Sequence, residues 1–257
     1  MANKRRFVHK RKCEATEPST KRPSIRRDKA LSVGMKGIFF TTSSGKGVDR
    51  CSEEAVSLIK EYLIGSTQPS EGTSFEKVTA ADTGESLKNC IDELSTQQAD
   101  GQQLFSVATG VKNTLFVVIP NADPVDLVMN ILNDVKTGAR KPSHLLQRLL
   151  PCQVSCAAKL EDICKITAEL LKAKFTEQLV EKKPSFAVVY RHRNNGSLKS
   201  QEIYDHVIRE IKALSPESKV CLRSPNLYIL VNIVKTVCCL SILENYNELK
   251  GFNWASI

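Results

Sequence analysis

The chain has 257 residues, of which 41% are apolar, enough for one or two packed domains plus a tail. Its longest apolar run, residues 227–243, contains Asn232 and Lys235 and falls short of the ~20 residues a membrane span needs, so no transmembrane helix is expected. The net charge of +9 is uneven: +8 over residues 1–30, −5 over 31–140 and +6 over 141–257. A basic tail and a basic C-terminal half thus flank an acidic middle, the balance a phosphate-rich partner requires. A merely soluble surface is the plainer alternative.

Residues 1–32 carry KRRFVHKRK and KRPSIRR with little to build a core, so a disordered basic tail is expected. Such clusters fit nuclear import or a nucleic-acid arm, or simply keep a chain soluble. Order should begin at Gly34. Met35 to Thr42 reads as a strand and 42–49 as its loop. A helix follows, capped by Asp49 or Ser52, with Ala55, Leu58, Ile59, Tyr62 and Leu63 as its apolar stripe. Residues 66–101 are polar and acidic, with helical spacing only at Leu87, Cys90, Ile91 and Leu94. Leu104 to Gly110 and Thr114 to Pro120 read as a hairpin turning at Lys112 and Asn113. Asp123 and Pro124 then open a second helix with Val125, Val128, Leu132 and Val135 inward. This β-α-β-β-α order predicts a ferredoxin-like half.

The connector 136–148 gathers Lys136, Arg140, Lys141, His144 and Arg148. One short strand is expected within 149–158 and a helix over 160–179 with Ile163, Ile166, Leu170 and Phe175 inward. A strand over 185–190 and a helix capped by Ser200 come next. Leu227 to Val234 and Val237 to Leu243 read as central strands covered on both faces.

The catalytic motifs are missing. Ser44-Gly45-Lys46-Gly47-Val48-Asp49 lies between a strand and a helix, where a phosphate loop would be, yet it matches neither the Walker A pattern nor the SGGxDS loop of ATP pyrophosphatases. Cys152, Cys156 and Cys164 stand four and eight apart, without the paired CxxC or histidine spacing of a zinc site. With no apolar leader ahead of them, all nine cysteines read as reduced, structural thiols in cytosol or nucleus. HExxH, GxGxxG and GxSxG are absent. No catalytic residues, metal or cofactor are expected, which points to a binding protein.

FAVVYRHRNN, residues 186–195, is the stretch that speaks most directly to binding. A buried strand delivers Arg191, Arg193, Asn194 and Asn195 to the edge of a sheet, and strand alternation puts both arginines on one side, opposite His192. A guanidinium offers a planar fork to phosphate, and an amide can reach sugar or base edges. A strand running into solvent is the bland alternative.

GMKGIFFTT with CSEEAVSLIKEY, RLLPCQVSCAA, VVYRHRNN, KVCLRSPNLYILVNIVKTVCCLS and ILENYNEL together resemble THUMP-domain proteins, and among them the Tan family of adaptors for tRNA cytidine acetylation. The resemblance runs from about Gly34 to Leu249. Three positions depart from the pattern: Cys221 and Asn232, where the family usually has acids, and Ala157, where it often has lysine.

The resemblance implies an α/β (α+β) fold divided into a tail at 1–32, a ferredoxin-like domain at 33–137 with the acidic insert 66–101, a THUMP domain at 138–249 and a C-terminal tail at 250–257. It implies binding of serine and leucine tRNAs, and a separate RNA cytidine acetyltransferase as partner, forming 4-acetylcytidine. It implies no enzymatic activity, in line with the missing motifs; no cofactor, membrane or small-molecule substrate is expected, and the basic clusters of the tail lead to the expectation of residence in the nucleus or nucleolus, with the cytoplasm as alternative. The RNA contacts it implies are Arg191, Arg193, Asn194 and Asn195, with Arg140, Lys141 and Arg148 on the connector, and Lys159 and Lys235 beside them. An RNA-modifying enzyme with an unrecognised site and an interaction protein that does not bind RNA remain the rival readings.

Overall fold

The computed structural model describes residues 26–43, 47–65, 104–176 and 181–257. Most of the basic tail, residues 44–46 of the loop after the first predicted strand, and the whole acidic insert with its predicted helical stripe lie outside the described residues.

The first sheet has five strands in the order β1-β3-β4-β2-β5. They are β1 (Arg26–Ala30), β2 (Gly37–Thr42), β3 (Phe105–Ala108), β4 (Thr114–Val118) and β5 (Leu146–Cys152). Helices α1 (Val48–Gly65) and α2 (Pro124–Lys136) pack on it. β2, α1, β3, β4, α2 and β5 make a complete β-α-β-β-α-β ferredoxin-like unit with antiparallel neighbours throughout. The hairpin turns where the sequence predicts, with Asn113 at φ 55°. Asp123 caps α2 by accepting the Val125 N–H at 2.7 Å. α1 starts at Val48, so Asp49 lies in its first turn, where a carboxylate meets the helix dipole. Gly37 is required by close approach, since a Cβ there would collide with the Val117 carbonyl.

Three expectations are corrected here. Arg26–Ala30 is not part of a disordered tail: it forms β1, parallel to β3 at the edge of the sheet. The segment 149–158 is two strands rather than one. β5 completes the first sheet by pairing with β2, while β6 (Val154–Ala157) pairs with β9 (Val237–Leu243) in the second. The ferredoxin-like unit therefore ends at Cys152 rather than 137. A β-α-β-β-α unit alone would leave one edge of β2 unpaired, and the fourth strand closes it. Pro151 lies on β5, an edge strand, the kind of position where its missing N–H costs least. Finally, residues 250–257 are no free tail, because Phe252 and Trp254 are buried to 0% and 2% exposure.

The second sheet runs β6-β9-β8-β7, with β7 (Phe186–Arg193) parallel to β8 (Leu227–Val234) and β8 antiparallel to β9. Helices α3 (Leu160–Lys174) and α4 (Ser200–Leu214) pack on each other and against this sheet. α3 ends five residues earlier than the sequence predicts, with Ile163, Thr167 and Leu171 as its most buried stripe. β8 and β9 are buried along their whole length, as their apolar runs predict.

The two faces of this sheet belong to different cores. Leu227, Ile229, Val231 and Ile233 share a core with Ile163, Leu171, Ile203 and Val207 of the helices. Tyr228, Leu230 and Val234 join the core of the N-terminal half, together with Tyr246, Leu249, Phe252 and Trp254. Gln153 stands where the chain passes between sheets. Its N–H donates to Leu240 O at 3.0 Å, and its Oε1 accepts from Ile242 N at 2.9 Å. The two halves are thus packed as one body, and the segment after β9 helps to seal them. Trp254→Ala should lower unfolding stability by roughly 3–5 kcal/mol in urea denaturation, the usual cost of emptying an aromatic core site.

Candidate nucleic-acid interface

β7 leaves the sheet at its C-terminal end, where β6 and β8 also end and α3 and α4 begin. Regular pairing holds to the last residue, with Arg191 opposite Asn232 and Arg193 opposite Val234. Both arginines therefore share the face of Tyr228 and Leu230, which looks toward the N-terminal half. His192 points the other way, as alternation predicts. Its Nδ1 lies 2.8 Å from the Asn195 carbonyl oxygen, and its ring stacks on Tyr190 at 5.6 Å.

The arginine side chains meet groups from across the seam. The Arg193 guanidinium lies 5.9 Å over the ring of Phe39 on β2. Burial first, and then the charges of Arg191 and Arg148, push Arg193 down from the usual guanidinium range. Arg148 arrives on β5, the partner of β2, and its Nη1 donates to the Gly251 carbonyl at 3.4 Å. Arg191 donates from Nε and Nη2 to the Tyr246 hydroxyl at 3.1 and 2.8 Å. Among the described residues no ion pair engages Arg148, Arg191 or Arg193; the pairs found join Lys136 to Glu248, Arg140 to Glu61, Lys174 to Glu244 and Lys183 to Glu217. Asn232, 1% exposed and registered against Arg191, contributes a neutral amide with no hydrogen-bond partner among these residues. Three guanidiniums held together without a carboxylate repel one another, and an anion relieves that repulsion.

Four further predicted residues lie at the same end of the sheet. Lys235 turns from β8 to β9 at φ 54°, is exposed, and lays its side chain against Gly110 of the β3–β4 hairpin. Lys159 occupies the N-cap position of α3, and the neighbouring Ala158 N–H donates to Thr236 O in the same β8–β9 turn. Asn194 is exposed at φ 53°. Asn195 has a different job from the one its type suggests. Its Nδ2 donates to Lys235 O at 2.8 Å, while its Oδ1 accepts from Ser197 N and Oγ at 3.1 and 3.2 Å. Both ends of the amide tie the loop down.

Arg140 and Lys141 are not part of this group. Arg140 makes a two-pronged bond to Glu61 of α1 at 2.8 and 2.9 Å and lies 5.4 Å over the ring of Tyr62. Its hydrogen bond holds the Glu61 carboxyl below the usual range. Burial and the bond it donates to Asp134, 2.6 Å long, push Tyr62 up to about 12. Arg140 clasps the connector to α1. Lys141 stands exposed on the rim of a neighbouring cavity of about 490 Å³ with Arg50, His144 and Trp254 in its walls. Sequence reasoning missed Tyr246 and Gly251, which meet the arginines from behind. The segment ILENYNEL, which holds Tyr246, pointed only to the family, and nothing in it marked a tyrosine that would meet Arg191.

A model of the THUMP domain family matches residues 157–243. The chain is 28% identical over 250 residues to THUMP domain-containing protein 1 of Homo sapiens, covering 95% of this chain and 67% of the relative. It is 23% identical over 241 residues to a Saccharomyces cerevisiae protein named tRNA acetyltransferase TAN1, covering 86% and 83%. The solution structure of the THUMP domain of THUMP domain-containing protein 1 is 33% identical, with a TM-score of 0.30, and covers 33% of this chain and 84% of that one. The chain spans about two thirds of the length of the THUMP domain-containing protein 1 relatives it matches, from 63% to 67%. Residues 157–243, which hold α3, α4 and most of the C-terminal sheet and from which Arg191 and Arg193 project, are a THUMP domain.

Proposed function

We propose that this chain is a tRNA-binding adaptor that presents its tRNA to a separate RNA cytidine acetyltransferase, with serine and leucine tRNAs as its cargo. The observation that carries the reading is the cluster of Arg148, Arg191 and Arg193, contributed by both halves and free of carboxylates among the described residues. Arginine forks suit phosphate oxygens, and a backbone-directed surface suits an RNA recognised by its folded shape. The THUMP domain, found in RNA-binding proteins, and the name of the yeast relative, which joins tRNA to acetylation, support the same reading. Lys159 and Lys235 extend the positive surface along the end of the sheet, and Asn194 adds a polar contact at its β7 edge. Asn195 acts by shaping the loop.

That yeast name also favours a second reading, in which the chain transfers the acetyl group itself. The two separate cleanly. Purified chain, serine tRNA and acetyl-CoA should yield no 4-acetylcytidine by mass spectrometry until an RNA cytidine acetyltransferase is added. Acetylation by the chain alone would overturn the adaptor.

Arg191→Ala combined with Arg193→Ala should weaken tRNA binding by ~10-fold or more in a gel shift, taking roughly 1 kcal/mol per charge-assisted hydrogen bond. The salt dependence should flatten by about one unit of slope for each phosphate left unneutralised. Lys60→Ala with Lys172→Ala, both exposed and away from the seam, removes the same charge and should bind as the parent does. Equal binding by both double variants would reject the site.

Asn232→Asp tests the electrostatics without touching an arginine. The new carboxylate would lie in register with Arg191 and neutralise it, so tRNA affinity should fall by about threefold or more and the salt slope by about one unit. Unchanged binding would show that the Arg191 charge plays no part.

A further inference from the structure

We infer that Tyr246 is a positioning residue for RNA: its hydroxyl fixes the plane of the Arg191 guanidinium so that the far edge of the fork is presented to a phosphate. This deepens the RNA reading of the site and rests on it. Arg191 spends Nε–H and one Nη2–H on the single Tyr246 oxygen, at 3.1 and 2.8 Å. Of the five N–H donors on a guanidinium, that leaves both on Nη1 and one on Nη2: the Nη2–H and one Nη1–H form the end-on fork, and the second Nη1–H points back along the stem. A guanidinium on a flexible stem loses rotamer freedom when it binds, and a fork already held in plane loses less.

Tyr246 is itself immobilised. It is 4% exposed, and its ring packs against Tyr228 at 5.4 Å and Phe252 at 5.2 Å. The chain beyond it is bent to fit. Asn245, Lys250, Gly251 and Phe252 all have positive φ, and Gly251 N donates to Tyr246 O at 2.8 Å. At Gly251 a Cβ would stand 3.5 Å from both the Tyr246 hydroxyl and Arg148 Nη1. One short turn therefore backs two of the three arginines, Arg191 through the phenol and Arg148 through the Gly251 carbonyl. Residues 245–254 are thus the rear wall of the site.

The test is a double-mutant cycle on the full chain, with tRNA binding read by fluorescence anisotropy and folding by thermal unfolding. Tyr246→Phe keeps the ring and removes only the hydroxyl. It should weaken tRNA binding on the order of tenfold, a coupling typical of directly bonded neighbours, and should have no further effect when Arg191 is already alanine. Arg191→Lys keeps the charge but cannot bridge to Tyr246 while offering a fork, and it should bind as weakly as Tyr246→Phe. This second variant still decides the matter if the first unfolds early. Parent-like binding by either Tyr246→Phe or Arg191→Lys would overturn the inference. So would an equal loss from Tyr246→Phe with and without Arg191, because that is the mark of a general structural effect. A parent-like Arg191→Ala would instead reject Arg191 as an RNA contact, and the positioning role with it.

Discussion

The THUMP sheet has more apolar surface than its own helices can cover. β8 and β9 are buried on both faces, yet α3 and α4 share a core with only one of them. The side chains of Tyr228, Leu230, Val234, Val237, Cys239 and Leu243 need a cover from elsewhere, and they join the core of the ferredoxin-like half. Burying a face of this kind is the dominant favourable contribution in packing, at roughly 25 cal/mol per Å² of apolar surface. That demand holds the two halves together, and the site exists because they are held. β5 lies beside β2 on the far side of the seam, so closing the seam brings Arg148 to the arginines of β7.

Closure also sets the electrostatics. Arg191 and Arg193 emerge on the covered face of the sheet, half-buried, rather than on a free surface. A charge in such a place usually finds a counter-charge. Here the neighbours are a tyrosine hydroxyl, a phenylalanine ring and a neutral asparagine. Those groups hold the guanidiniums in place without neutralising them. Arg140 shows the contrast: it gives both prongs to Glu61 and becomes part of the scaffold.

The segment after β9 links packing to function. Phe252 and Trp254 sink into the shared core, and Tyr246 and Gly251 stand directly behind Arg191 and Arg148. Its ion pairs, Lys174 to Glu244 and Lys136 to Glu248, join it to α3 on one side and α2 on the other. They are exposed and contribute little each. The buried aromatic rings carry the attachment.

The sequence by itself determined the local elements and their faces. Alternation placed Arg191 and Arg193 together and His192 opposite, the unbroken apolar runs marked β8 and β9 as central strands, and Asp123-Pro124 marked the start of α2. These follow from periods of two and 3.6 residues and from capping chemistry, all readable within a few positions. Only the tertiary structure decided the rest. It assigned Leu146–Cys152 to the first sheet and Val154–Ala157 to the second, ordered Arg26–Ala30 into a strand, gave Arg140 to Glu61 and Arg148 to the seam, committed Asn195 to its own loop, and brought Tyr246 to Arg191. Each of those outcomes depends on which distant segment lies alongside. Arg140 meets Glu61 across 79 positions and Arg191 meets Tyr246 across 55. Local periodicity carries no information about a partner that far along the chain, because the pairing is chosen by the joint burial of two apolar faces.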